Sequence, residues 1–374
     1  MKISLNPVLG INHVGKTNER VNAQQQSGMS SDTTISGLTS ACYMPIFKAT
    51  PDASFIMAHY QKRLCAYTRR PMLLSYDLRG IYAKLAKKSN AQAVVNFLNN
   101  YENYMQKVET QVFDFFKQNT GCGKQTLQDI LYDKRDDSIN NLRRKQNHIL
   151  DSEESDRIIN SLNGHSKNYV DQIRDSAIVR IYDGSFSRRD VLGQLASIET
   201  NEENAAKLNE LYSLWYQLPR SFVDFDAFVV KYSYLPHNVI AQRLLSMSEM
   251  TIEHLIPTAR GGNDSLGNLA PVIKLINNDR SDMPLKQYAL LNPEFDISNN
   301  LQKYIDDICD NINGGKSLFA TRSWYPKEFR ANVQKETEGS INLKINDVKP
   351  KKANNNSKLT SSQKGKNRYI SYRR

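Results

Sequence analysis

Between positions 253 and 277 four residues stand out whose types can work on a phosphodiester: the acid Glu253, the imidazole His254 and the amides Asn268 and Asn277. Hydrolysis of that bond needs a water, a base to take its proton, and positive charge to steady the leaving oxygen and the crowded phosphate. An imidazole titrates at about 6.5 and spends much of its time neutral at cellular pH, which suits the residue type at 254 to the base. Glu253 and the amide oxygen of Asn277 are hard ligands matched to Mg²⁺ or Mn²⁺, an ion that keeps several waters and can take a phosphate oxygen. One carboxylate and one neutral amide would leave it strongly electrophilic. In a regular strand neighbouring side chains point to opposite sides, so the strand is expected to end or twist at these two residues if both are to serve one phosphate.

The elements that must position these groups are short. Residues 248–256 alternate weakly, with Met250, Ile252, His254 and Ile256 on one side, which reads as a strand. Residues 257–267 are a loop by their Pro, Gly, Asn, Asp and Ser content, 268–273 read as a second strand, and 274–282 as a helix. Gly261 and Gly262 would let the loop turn tightly and approach a phosphate.

The run Glu253-His254-Leu255-Ile256-Pro257, then Gly261-Gly262, Asn268-Leu269, and Asn277 nine positions further on with Arg280 and Asp282, resembles the HNH endonuclease family. Its tail, Asn277 to Pro284, is similar to the zinc-free HNH domain of RNA-guided CRISPR effectors. The likeness covers residues 248–285 and implies a ββα-metal finger, a hydrolase of the endonuclease type with Mg²⁺ (or Mn²⁺) as cofactor, and nucleic acid, DNA above all, as partner. By the same resemblance His254 and Asn268 form the catalytic pair, with Asn268 pinning the loop so that His254 faces the water, while Glu253 and Asn277 hold the metal. Arg260, Lys274 and Arg280 flank the site and are expected to hold the nucleic-acid backbone. Two departures stand out. Relatives with a structural zinc carry cysteines where this chain has Ile273 and Ile276, so no structural zinc is expected and these side chains should instead pack the finger onto the body. The first acid is Glu rather than the commoner Asp, which lengthens the ligand arm by one methylene.

Outside the finger the sequence offers scaffolding. Apolar residues make up 39% and charged residues 24% of the 374 positions, the balance of a folded soluble chain with room for about two domains. From residue 75 to 245 apolar positions recur at helical spacing, and Val94, Val95, Phe97, Leu98, Tyr101, Met105, Val108, Val112, Phe115 and Phe116 form one long stripe. Ser187 with Asp190, and Ser221 with Asp224, have the spacing of helix-start capping boxes. Such stripes are core, and no ligand site is assigned to them. Thr120 to Lys124 falls short of a phosphate loop, because Gln118 and Gln125 stand where Gly and Ser or Thr are needed. Cys42, Cys65, Cys122 and Cys309 lie too far apart in sequence for a CxxC pair and read as buried, reduced thiols.

The net charge of +11 is concentrated at one end. Nine Lys or Arg and no acid lie between Lys349 and Arg374, so removing nine leaves +2 for the rest. This arm, with Lys349, Lys351, Lys352, Arg368, Arg373 and Arg374 among its cations and Tyr369 and Tyr372 between them, is expected to be disordered alone and to neutralise phosphates. No apolar run reaches the roughly 18 residues of a membrane helix, and Asn6, Pro7, Asn12 and His13 interrupt any signal-peptide core. The cytoplasm is the expected location and no membrane partner is expected; a non-classical export route stays open beside it.

The expected architecture is mainly α: a disordered leader over 1–40, a helical domain over 41–235, an HNH nuclease module over 236–335 and a basic flexible tail over 336–374. The expected function is metal-dependent cleavage of nucleic acid, with DNA favoured. The competing reading is a helical interaction or effector protein whose finger only binds nucleic acid.

Overall fold

The computed structural model describes residues 3–4, 50–121, 125–315, 318–346 and 348. The leader, apart from β1 (Ile3–Ser4), and the tail cations Lys349, Lys351, Lys352, Arg368, Arg373 and Arg374 lie outside the described residues, as do Cys42 and Cys122.

Helices dominate, as the periodicity predicts. The first part runs α1 (Pro51–His59), α2 (Ser75–Leu85), α3 (Ala91–Leu98), α4 (Lys107–Asn119), α5 (Leu127–Leu150), α6 (Glu153–Ser161), α7 (His165–Asp183) and α8 (Arg188–Ala196). A two-residue β2 (Glu199–Thr200), paired antiparallel with β1, precedes α9 (Glu202–Trp215), α10 (Phe225–Tyr232) and α11 (His237–Ser246). The finger follows as β3 (Met250–His254), β4 (Leu269–Ile273) and α12 (Lys274–Arg280), and α13 (Leu285–Leu291), α14 (Ile297–Gly314) and α15 (Tyr325–Glu336) close the described chain.

Local chemistry sets several helix starts. The Ser187 side chain accepts from Asp190 N at the head of α8, as its spacing predicts. Ser221 does not play that part: α10 starts later, where the Asp224 carboxylate accepts from Ala227 N. A capping box at Thr126 and Asp129, not singled out in the sequence, opens α5. The long stripe from Val94 to Phe116 is broken by a tight turn over Asn99–Tyr104 into α3 and α4, so its two halves belong to two helices.

The apolar side chains gather into two cores. One joins α2, α3, α4 and the first turns of α5 to Phe228, Val229, Ile240 and Leu244. The other joins α1, α6 to α9, the finger and α13 to α15. Helix α5, about 36 Å long at 1.5 Å per residue, spans both, with Leu127 and Ile130 in the first and Leu150 in the second. Helix α11 packs with the early helices, and the finger is embedded in a core that draws on residues 53–72 and 150–218. Cys65 and Cys309 are free and buried in this core. Among the described residues no helix is long and apolar enough to cross a membrane.

Candidate active site

Strands β3 and β4 form an antiparallel ladder in which Met250 faces Ile273, Glu253 faces Ala270 and His254 faces Leu269. Its edges are occupied by the segment between α1 and α2. Ala66 N donates to Pro271 O at 2.8 Å, Leu73 N to Ser248 O at 2.9 Å, and Met250 N to Leu73 O at 2.8 Å. Backbone groups that would otherwise be bare are thus paired and the hairpin is fixed in register. Ile273 and Ile276 are both buried in the common core, where they join the finger to the body.

The loop between the strands is held by one amide. Asn268 is buried; its Oδ1 accepts from Ile256 N at 2.8 Å, and its Nδ2 donates to Ile256 O at 3.0 Å and Asn263 O at 2.8 Å. The two glycines are each required for a different reason. Gly261 takes φ +84°, in the left-handed region, and a Cβ on Gly262 would sit 1.7 Å from Ile256 O. Distant helices hold the far side of the loop, where Leu266 N donates to Asp52 Oδ2 at 2.9 Å and Ser265 Oγ to Glu328 Oε1 at 3.1 Å.

His254 emerges from the end of β3 with its side chain 29% exposed, and its Nε2 lies 2.7 Å from Asp264 Oδ1. It borders an open cleft of about 490 Å³, which Glu253, Asn277, Asn278, Ser281 and Asp282 also line. Asn277 reaches it from α12 with Nδ2 donating to Ile252 O at 3.3 Å, which leaves Oδ1 as its remaining polar atom. The acid, the imidazole and the amide picked out by spacing therefore share one cleft.

Glu253 stands differently from the sequence expectation. It is buried, and Arg280 Nη1 donates to its Oε1 at 2.5 Å. The same guanidinium donates to His254 O and Leu255 O, both at 2.6 Å, and lies 4.0 Å from Glu336 Oε1 on α15. Burial pushes the Glu253 carboxyl up to about 7, while the Arg280 charge works in the opposite sense.

The three flanking cations are placed differently from one another. Arg280 is buried and braces the finger, so it cannot lie along a nucleic-acid backbone. Lys274 sits at the opposite end of the ladder, where Nζ pairs with Glu249 Oε2 at 3.0 Å, and it does not line the cleft. Arg260 stays partly exposed on the loop, its Nε 3.6 Å from Glu336 Oε1. His237 is remote from the chemistry: its Nδ1 accepts from Leu127 N at 2.9 Å at the head of α5, and burial lowers its pKa. Asp264 was missed in the sequence because a loop acid between Gly262 and Asn268 has no periodicity to mark it.

In donor chemistry the cleft fits a hard divalent ion held by few protein atoms. Asn277 keeps Oδ1, and Glu253 keeps Oε2 once Oε1 is committed to Arg280. Among the described residues no three His, Cys, Asp or Glu side chains converge as a closed metal cage, so an ion here would rest on a carboxylate, an amide and water.

Residues 234–284 match the family described as HNH endonuclease. No curated protein and no solved structure gave a significant match to the chain.

Proposed function

We propose, from the HNH endonuclease segment at residues 234–284, that this protein hydrolyses phosphodiester bonds of nucleic acid, with DNA as substrate and Mg²⁺ or Mn²⁺ as cofactor. The observation that carries the reading is the placement of His254: partly exposed on the cleft, with one ring nitrogen tied to Asp264 and its loop clamped by Asn268.

The chemistry follows from that placement. With the proton on Nε2 donated to the Asp264 carboxylate, Nδ1 keeps its lone pair and is the basic nitrogen. His254 then takes the proton of the attacking water at Nδ1, and Asp264 steadies the imidazolium that results. Asn268 acts on the loop rather than on the substrate, since both ends of its amide are spent on backbone groups. Glu253 and Asn277 would hold the ion, which when bound supplies positive charge to the phosphate oxygens. Supercoiled plasmid incubated with Mg²⁺ tests the reading: the wild type should convert it to the nicked form, and His254→Ala should lose about a hundredfold to ten-thousandfold of that rate. Equal nicking by the two proteins would reject His254 as the base.

A second reading is favoured by one contact. Because Glu253 is turned onto Arg280, the finger could serve as a binding element whose carboxylate is structural. It predicts binding of DNA with no product that depends on a divalent ion.

A further inference from the structure

Behind α12, on the side away from His254, lies a second cavity of about 530 Å³ built between the helical body and the finger. Its basic side chains are Arg188, Arg189, Arg220 and Lys231 from the body and the buried Arg280 from the finger. The one acid lining it is Asp279, and that carboxylate is already satisfied. It pairs with Arg220 and accepts from Tyr216 Oη at 3.1 Å and Tyr288 Oη at 3.3 Å.

Arg188 is the informative residue. Its Nε and Nη2 donate to Tyr216 O at 3.1 and 2.8 Å, and its guanidinium stacks 4.3 Å from the Tyr216 ring centre, yet among the described residues no carboxylate forms an ion pair with it. Withdrawing a cation from water without an anion is costly. Burial and the neighbouring Arg220 both act against its charge, and its pKa falls to about 10. Arg220 lies on the opposite side of the same cluster, 4.7 Å from the Tyr216 ring centre, and its buried Nε has no hydrogen-bond partner. Arg189 and Lys231 are exposed at the rim and form no ion pair among the described residues. The cavity therefore holds more positive charge than its own acid neutralises, and it has donors without acceptors.

Two residues connect this cavity to the cleft. Asn278 and Ser281, on and just beyond α12, line both. We propose that a nucleic-acid strand entering the His254 cleft crosses Asn278 and Ser281 and places a backbone phosphate in the basic cavity, held by Arg188, Arg189 and Lys231. The inference rests on the nuclease reading above and gives the helical body a part in it: the body supplies the phosphate grip that Arg280 and Lys274, turned to structural pairs, do not. Such contacts add affinity without reading sequence.

The test uses the full chain carrying His254→Ala, so that the substrate survives, and a fluorescent DNA duplex followed by anisotropy across a salt series. Arg189→Ala with Lys231→Ala, both at the exposed rim, should weaken binding about tenfold and lower the slope of log K against log salt by about 1. Arg79→Ala with Lys84→Ala on α2 changes net charge equally at exposed positions in the other core, and should leave the slope within about half a unit of the parent. An unchanged affinity and slope in the rim variant, or an equal loss in the α2 variant, overturns the proposal. Nicking by the chain with His254 intact is measured in parallel. Its absence removes the reading of the cleft, whereas the cavity stands or falls on affinity and slope.

Discussion

Arg280 and Glu253 meet inside the finger, Nη1 to Oε1 at 2.5 Å, with one partner from the end of α12 and the other from β3. The pair ties helix to strand, and Nη1 and Nη2 of the same guanidinium also donate to the carbonyls of His254 and Leu255. The residue that bears the imidazole is thus held through its own backbone. Arg280→Met would leave Glu253 buried without its counter-charge and two carbonyls without donors. Removing one partner of a buried pair costs about 3–5 kcal/mol. Urea unfolding should show a loss of this size, and a change under about 1 kcal/mol would mean that the pair adds little to the fold.

The Glu253 carboxyl supplies a pH prediction with a definite sign. Its pKa rises from 4.5 to about 7 on folding because burial disfavours the charge. The native state then binds that proton more tightly than the unfolded chain, so this group lowers stability as pH rises from about 4.5 through about 7. Glu253→Gln should remove the decline. Unfolding free energies at pH 5 and pH 8 should differ by about 3 kcal/mol less in the variant than in the wild type. Parallel curves for the two proteins would deny the shift.

Asp264 is expected to act through His254 rather than on the substrate. Asp264→Asn keeps the shape but removes the charge that steadies the imidazolium, so the nicking rate should fall about tenfold to a hundredfold. An unaltered rate would show that the 2.7 Å contact to Nε2 is incidental to the chemistry.

Gly262 has no room for a side chain. Since a Cβ would lie 1.7 Å from Ile256 O and 3.0 Å from Asn268 Nδ2, Gly262→Ala must push the loop away from the amide that clamps it. A loss of about 1–3 kcal/mol, the usual scale for overpacking, is expected in thermal unfolding, together with loss of nicking. Full activity in this variant would mean the loop geometry around His254 is not needed.

The ion predicts a further behaviour of the cleft. Chelation should abolish nicking and added Mg²⁺ or Mn²⁺ should restore it. Asn277→Ala should weaken Mn²⁺ binding, measured by calorimetry, about tenfold or more, on the scale of other perturbed ligand sets. Equal Mn²⁺ affinity in variant and wild type would remove Asn277 from the ligand set.

The sequence by itself determined those features that depend on neighbours a few positions apart. Composition and spacing placed β3, β4 and α12 to within two residues of their ends, and the resemblance those residues carry grouped Glu253, His254 and Asn277 and left Ile273 and Ile276 to packing. The sequence also assigned a helical body, since amphipathic periodicity is a local property. Only the tertiary structure decided which charges are free. Lys274 and Arg280 look alike in the sequence to any phosphate-binding cation, but Glu249 neutralises one, and Glu253, with α15 bringing Glu336 close, encloses the other. Whether a charge faces water depends on what the rest of the chain lays over it, from residues tens of positions away. For the same reason Asp264 beside His254, the break in the Val94 to Phe116 stripe, and the basic cavity between the body and α12 became visible only once the helices were packed.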